Sequence, residues 1–135
     1  MDKPNAFELG WHVHQTEYPY RHHMFRIRTD LIQRPDGATH LFSYMEGDPV
    51  VMIVPVTTAG EVVLIRQYRY VVDAWSWELP AGGSHDFEGD DLLDLARLEL
   101  YEEVGGEAET WEHLGECYPM TGMVDKVFHI YLATD

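Results

Sequence analysis

Glu99-Leu100-Tyr101-Glu102-Glu103-Val104-Gly105-Gly106 is the stretch whose reading decides the fold. Upstream, Asp90 and Asp91 supply an acidic helix start, and Gly105-Gly106 supplies a stop. The spacing therefore predicts a helix over Asp91 to Val104. At about 100° per residue, Leu93, Leu100 and Val104 form one apolar stripe, with Ala96 at its edge. Glu99, Glu102 and Glu103 fall on an adjoining face, Glu99 one turn from Glu103 and Glu102 alongside. Carboxylates packed within one turn repel one another, and near a helix C-terminus the dipole also disfavours negative charge. A hard divalent cation with oxygen ligands removes that cost. The competing reading is a solvated acidic face, which is common on helices.

Outward from the helix the chain reads as strands. Trp75 to Leu79 is a short strand ended by Pro80, and Ala81 to Gly89 reads as a loop. Val50 to Thr57 is a nearly continuous apolar run, expected of a strand covered on both faces. Ala59-Gly60 turns the chain, and Glu61 to Arg66 is expected to return as a strand. Glu109 to Tyr118 and Val127 to Ala133 read as two later strands. Nearer the N-terminus, His23 to Gln33 and Ala38 to Met45 flank Arg34-Pro35-Asp36-Gly37, a turn in which Pro presets φ and Gly accepts positive φ. They predict an antiparallel hairpin, broken by Gly47-Asp48-Pro49. The pattern is a mixed α/β sheet with few helices.

At 135 residues the chain suits one compact domain, and an apolar content of 45% provides for a core. No apolar run approaches the roughly 20 residues that span a bilayer. Met1-Asp-Lys-Pro-Asn lacks the basic-then-apolar layout of a signal peptide. Cys117 stands alone, which excludes a disulfide framework and favours a reducing, cytoplasmic setting. A formal net charge of −15 makes nucleic acid and anionic membranes poor partners. A small phosphate-bearing substrate stays compatible if divalent cations sit between carboxylate and phosphate. Solubility alone is the plainer account of the charge.

The helix and its approach resemble the Nudix hydrolases, whose box runs G-x5-E-x7-R-E-U-x-E-E-x-G-U with U apolar. Glu99 to Gly105 matches its E-U-x-E-E-x-G portion, and Gly82 matches the opening glycine. Val63 to Arg69, Trp77 to Gly82, Trp11 and Pro35-Asp36-Gly37 are similar to the ADP-ribose pyrophosphatase branch. So are Thr121 to Asp125 and a last strand ending Leu132-Ala133-Thr134-Asp135. The resemblance implies an α/β/α sandwich around a mixed sheet, one domain over residues 1–135. Within it, residues 1–46 would be an antiparallel strand segment that pairs two subunits, and residues 47–135 the core, with the box at 82–106. It also implies a metal site of the Ala81 carbonyl, Glu99, Glu102 and Glu103, holding Mg²⁺ or Mn²⁺. Glu102 and Glu103 would be the catalytic residues, with Arg69 and, more weakly, Arg66 on the substrate. The implied reaction cleaves the diphosphate of a nucleoside diphosphate derivative, ADP-ribose or a related sugar, to a nucleoside monophosphate and a sugar phosphate.

Four features depart from that pattern. Leu98 replaces the box arginine, and the adjacent Arg97 points about 100° away. The loop carries an insertion, so Glu88 or Asp90 takes the place of the earlier box glutamate. Lys126, after Asp125, stands where relatives often carry a glutamate. The chain stops at Asp135, where relatives continue with a strand and a helix, so truncation is one reading. Slow hydrolysis is expected, with a catalytically silent nucleotide- or protein-binding domain or a fragment of a longer hydrolase as alternatives.

The remaining candidates read more plainly. Of the eight histidines, His12 and His14 would share a strand face and His22-His23 are adjacent, without a Cys partner or an H-E-x-x-H pattern. They are read as polar or interface residues and not as a zinc site. His85 lies in the box loop, and Tyr18, Tyr20 and Phe25 are candidates to stack on a base. Cys117 is read as an inert small residue.

Overall fold

The computed structural model describes residues 3–134, and their contacts divide them into two units. The readings that rest on Met1, Asp2 and the end at Asp135 lie outside the described residues.

The first unit runs to Gly47 and takes in Met120–Asp125. It holds a short helix α1 (Pro4–Glu8) and strands β1 (His12–Arg21), β2 (Arg26–Gln33) and β3 (Thr39–Glu46) in one antiparallel sheet, with β2 central. The expected hairpin is β2–β3, and Gly37 takes φ +84° in its turn. The strand expected from His23 begins later, at Arg26, because His22 to Phe25 close the β1–β2 turn through His22 N–H and Phe25 C=O at 2.8 Å. The inward face of β2 is largely ionic. Arg28 (5% exposed) and Asp30 (2%) precede Ile32 on it, and Glu46 (4%) reaches it from β3. Arg28 donates to Asp30 at 2.8 Å and to Glu46 at 3.0 Å, Arg26 donates to Glu46 at 2.6 Å, and Thr16 to Asp30 at 2.7 Å. Burying charge is tolerated only with such pairing.

The second unit comprises Asp48–Pro119 and the chain from Lys126 on. Strands β4 (Val50–Pro55), β5 (Ile65–Arg69), β6 (Ala74–Glu78) and β7 (Ala81–Gly83) precede helix α2 (Leu92–Val104) and strands β8 (Thr110–Cys117) and β9 (Phe128–Thr134). The main sheet has the order β7-β4-β9-β8, with β4 parallel to β9 and the other pairs antiparallel, so it is mixed as expected. β5 and β6 form a separate hairpin. The return strand expected at Glu61 starts at Ile65 instead. Residues 57–61 form a tight turn with only one bridge, Val56 to Val62, and the strand proper is registered by β6, from Ile65 opposite Glu78 to Arg69 opposite Ala74. Part of the expected loop is also ordered as β7, paired with β4.

Asp91 caps α2 by accepting from Leu93 N–H at 2.9 Å, and Gly105 ends it at φ 65° with its N–H on Tyr101 C=O at 2.8 Å. The core is Val51, Ile53, Leu95, Ala96, Leu100, Tyr131 and Ala133, one face of β4 and β9 against α2. Leu95 is a core residue, whereas Leu93 and Val104 are only half-buried. The helix is thus rotated from the expected stripe, because leucines at 92, 93, 95, 98 and 100 surround it and only docking selects among them. Among the described residues α2 is the helical layer on the sheet, and no helix is long and apolar enough to cross a membrane.

Candidate active site

The rotation of α2 brings two of its glutamates inward. Glu99 and Glu103 are half-buried on the side that carries Ala96 and Leu100, while Glu102 stays exposed. Glu103 accepts from Ala81 N–H at 2.9 Å and from the Gln67 side-chain amide at 3.3 Å. Glu99 lies on Gly82: a Cβ there would fall 1.9 Å from the Glu99 carboxyl carbon. The glycine is required here for space and not for a positive φ. Burial pushes the Glu99 carboxyl above its ordinary value, the charges of Glu103 and Glu102 push it further, and His85 opposes them. Among the described residues the three glutamates do not gather their oxygens within 4.8 Å of one another. Glu99 and Glu103 are held on the β7 backbone, and Glu102 borders solvent.

A cleft of about 360 Å³ opens beside β7, lined by Val50, Met52, Arg69, Glu78, Gly82 and Phe128 among others. Val50 and Met52 alternate along β4 with the core residues Val51 and Ile53, so the cleft lies on the sheet face opposite α2. Ala81 and Gly82 border both the cleft and the glutamates. β7 is one edge of the main sheet, and the two halves of the site meet around it.

The β5–β6 hairpin separates the two expected arginines. Gln67 and Arg69 alternate with Arg66 and Tyr68 along β5 and so take the opposite face. Arg69 lines the cleft, but its guanidinium forks onto Glu78, with Nε at 2.9 and 3.0 Å from the two carboxylate oxygens and Nη2 on the second. That bond draws the Glu78 carboxyl below its ordinary value, and the same bond, donated by Arg69, raises Arg69 with added attraction from Glu103. Arg66 stacks over Trp75 at 4.9 Å and Trp77 at 5.8 Å and does not line the cleft.

Sequence reading missed Glu78 and the bond from Gln67 to Glu103. The register sets Glu78 opposite Ile65 and Arg69 opposite Ala74, so the two share a face but not a position, and the strand period alone would not have paired them. Leu98 is 42% exposed, Arg97 pairs with Asp94 at 2.9 Å, and Glu88 and Asp90 are exposed. Lys126 is half-buried. His85 is near Glu99 and contacts Asp86 at 3.1 Å. In the first unit, Asp125 accepts from Gly47 N–H at 3.1 Å. Tyr18 is stacked by Arg21 and Arg26, and Tyr20 meets Phe25 at 5.9 Å. His14 bonds Gln33 at 3.2 Å, His12 meets the Phe7 ring edge-on, and His22 stacks on His23 at 4.1 Å. Cys117 is exposed.

An oxygen-rich site on a capped helix, facing a cleft with an arginine, can hold a hard cation against a phosphate. Comparison with known proteins agrees with that architecture. The chain is 34% identical over 111 residues to an ADP-ribose pyrophosphatase of Mycobacterium tuberculosis, covering 82% of this chain and 53% of that protein. It is 35% identical over 102 residues to the CMP-5'-(N-acetyl-N-hydroxy-3-aminopropyl)phosphonate hydrolase of Streptomyces rubellomurinus, covering 76% and 48%. The chain thus spans about half the length of these relatives. A crystal structure of an ADP compounds hydrolase shares the fold, with a TM-score of 0.80 at 22% identity over 93% of this chain and 67% of that one. The model of the NUDIX domain matches residues 47–135, the stretch that contains the sheet, the glycine and the glutamates, and the chain belongs to the Nudix family.

Proposed function

We propose that this chain is a metal-dependent hydrolase of the diphosphate in a nucleoside diphosphate derivative, ADP-ribose or a related sugar. The observation that supports it most is the seating of Glu99 and Glu103 on Gly82 and Ala81, at the rim of a cleft that carries Arg69. The donors fit Mg²⁺ or Mn²⁺: they are oxygens only, and Glu99 carries an electrostatic cost that a cation relieves. In this reading Glu99, Glu102, Glu103 and the Ala81 carbonyl hold the ion. Bound there, it would acidify water and neutralise charge on the phosphate.

The protein's own groups do the rest. Glu102, bordering solvent, is assigned with Glu103 to accept the proton of the attacking water. Water adds to one phosphorus, the P–O bond to the bridging oxygen breaks, and a nucleoside monophosphate and a sugar phosphate leave. From ADP-ribose these are AMP and ribose 5-phosphate. Arg69 binds the diphosphate by turning its fork from Glu78 to phosphate. Arg66 is assigned to a part of the substrate that reaches the Trp75–Trp77 face. Incubating the protein with nucleoside diphosphate sugars and Mg²⁺ or Mn²⁺, and scoring phosphomonoester release, tests the reading; no release from any of them would reject it.

A silent binding domain is the second reading, favoured by the exposed Leu98 where the family's box has arginine and by the engagement of Arg69 with Glu78. We further propose a cytoplasmic homodimer paired through residues 11–45. β1 is exposed along almost its whole length, and β1 and β3 are both edges of their sheet. Sedimentation at micromolar concentration should show a dimer, and a single monomeric species would refute the pairing.

A further inference from the structure

We infer that His113, Glu116 and His129 form a second metal site, selective for a borderline ion such as Zn²⁺ and separate from the glutamates of α2. The site is created by a β-bulge. Strand side chains alternate faces, so residues 113 and 116 of a regular strand would point to opposite sides. In β8 the register slips by one residue between His113, opposite Tyr131, and Gly115, opposite Ile130. The extra residue returns His113 and Glu116 to one face, which they share with His129 and Tyr131 of β9. Gly115 makes the bulge affordable, since its φ of +145° is a conformation that side-chain-bearing residues rarely adopt.

The three ligand atoms lie within 4.8 Å of one another, with His129 Nδ1 at 3.4 Å from the Glu116 carboxylate and the two imidazole rings 5.6 Å apart. Tetrahedral ligands at about 2.0–2.1 Å from Zn²⁺ stand roughly 3.3 Å apart, so rotamer adjustment within an unmoved backbone closes the site. Two imidazoles and one carboxylate suit Zn²⁺ and leave a position open, whereas Mg²⁺ prefers oxygen alone. The anchorage is firm. The His129 side chain is only 16% exposed, and its neighbour Tyr131 belongs to the core under α2. The surroundings are acidic: after burial, Asp91 and Glu116 are what raise the Tyr131 phenol. Sequence reading looked for zinc among His12, His14, His22 and His23. It could not see this trio, because only the bulge brings its members together.

The plainer account is a direct contact of the His129 ring with the Glu116 carboxylate, which needs no metal. Zn²⁺ titration of the whole chain in saturating Mg²⁺, by calorimetry and by Co²⁺ absorption, separates the two. The wild type should take up one Zn²⁺, and Co²⁺ should give the visible bands of a nitrogen-ligated ion. His113→Gln and His129→Gln should each weaken uptake at least about tenfold, while Glu103→Gln should leave it unchanged. If His129→Gln does not fold, His113→Gln, at an exposed position, decides alone. No uptake by the wild type, equal isotherms for the wild type and His113→Gln, or uptake lost only in Glu103→Gln would each overturn the site.

Discussion

Each unit of this molecule withdraws a pair of carboxylates from water, and the two pairs are neutralised in opposite ways. In the first unit Asp30 and Glu46 are almost fully buried, and Arg28 and Arg26 answer them. Burial by itself would push Glu46 upward, but the bonds from the two guanidiniums hold it below its ordinary range. Burial would lower Arg28, but its bonds to Asp30 and Glu46 outweigh that, and its proton is held more tightly than usual. In the second unit Glu103 is half-buried and accepts from two amides, Glu99 is half-buried against Gly82 with His85 nearby, and Arg69 is bonded to Glu78. Glu99 is therefore raised where Glu46 is lowered. Carboxylates that meet their own cations hold a fold together. On the proposed function, the glutamates of the second unit are the place where a cation is to be supplied from outside.

The largest effect should come from breaking the self-neutralised pair. Arg28→Met leaves Asp30 and Glu46 buried without their shared partner, and should lower unfolding free energy by about 3–5 kcal/mol in urea. A loss below about 1 kcal/mol would mean that the network is not a buried one. Glu103→Gln should do the reverse. It keeps an oxygen for Ala81 N–H, so cooperative unfolding should persist, while hydrolysis of ADP-ribose falls on the order of 10²–10³-fold. An unchanged rate would place the activity elsewhere and return the silent-domain reading. Next in size is the cation itself. Mn²⁺ at 100 times its dissociation constant should stabilise the native state by about 2.7 kcal/mol, read as a higher thermal midpoint than in EDTA. Coincident midpoints, with no calorimetric heat, would remove metal from the account.

The parts of this contrast were unequally legible in the chain. Asp91 and Gly105 announce α2 because capping is local chemistry, and both caps form as read. The Arg34–Gly37 turn is legible for the same reason. The rotation of α2 is not: leucines lie on most sides of it, and only docking on β4 and β9 shows that Leu95 goes in and Leu98 stays out. That rotation decides which glutamates face β7, so helical spacing and resemblance found Glu99 and Glu103 while their contacts stayed hidden. Register is equally hidden. Arg69 reaches Glu78 along one face of the β5–β6 hairpin, although the pairing sets it opposite Ala74, while Arg66 takes the other face, and the β8 bulge assembles His113, Glu116 and His129. The first is a side-chain reach within a hairpin and the second a long-range pairing, and neither has a signature in the residues alone.

The smallest expected effect is the sharpest test of the contrast, because it has opposite signs in the two units. Glu46 has a folded value below its ordinary 4.5, so its contribution to stability is present above 4.5 and is lost as pH falls through the folded value. Glu99 has a folded value above 4.5. Between 4.5 and that value the native state binds more protons than the unfolded one, so stability from this group grows as pH falls through the window. In EDTA, lowering the pH from neutral toward 4.5 should therefore act favourably through Glu99 while leaving the Glu46 contribution in place. Glu99→Gln should remove that slope. Saturating Mn²⁺ should reverse it, since the ion binds only the ionised carboxylate and protons then compete with it. Thermal midpoints over this range, for wild type and Glu99→Gln with and without Mn²⁺, supply the four curves. If the wild-type slope in EDTA equals that of Glu99→Gln, Glu99 is already relieved by its surroundings, and the contrast between the two carboxylate pairs fails at its second member.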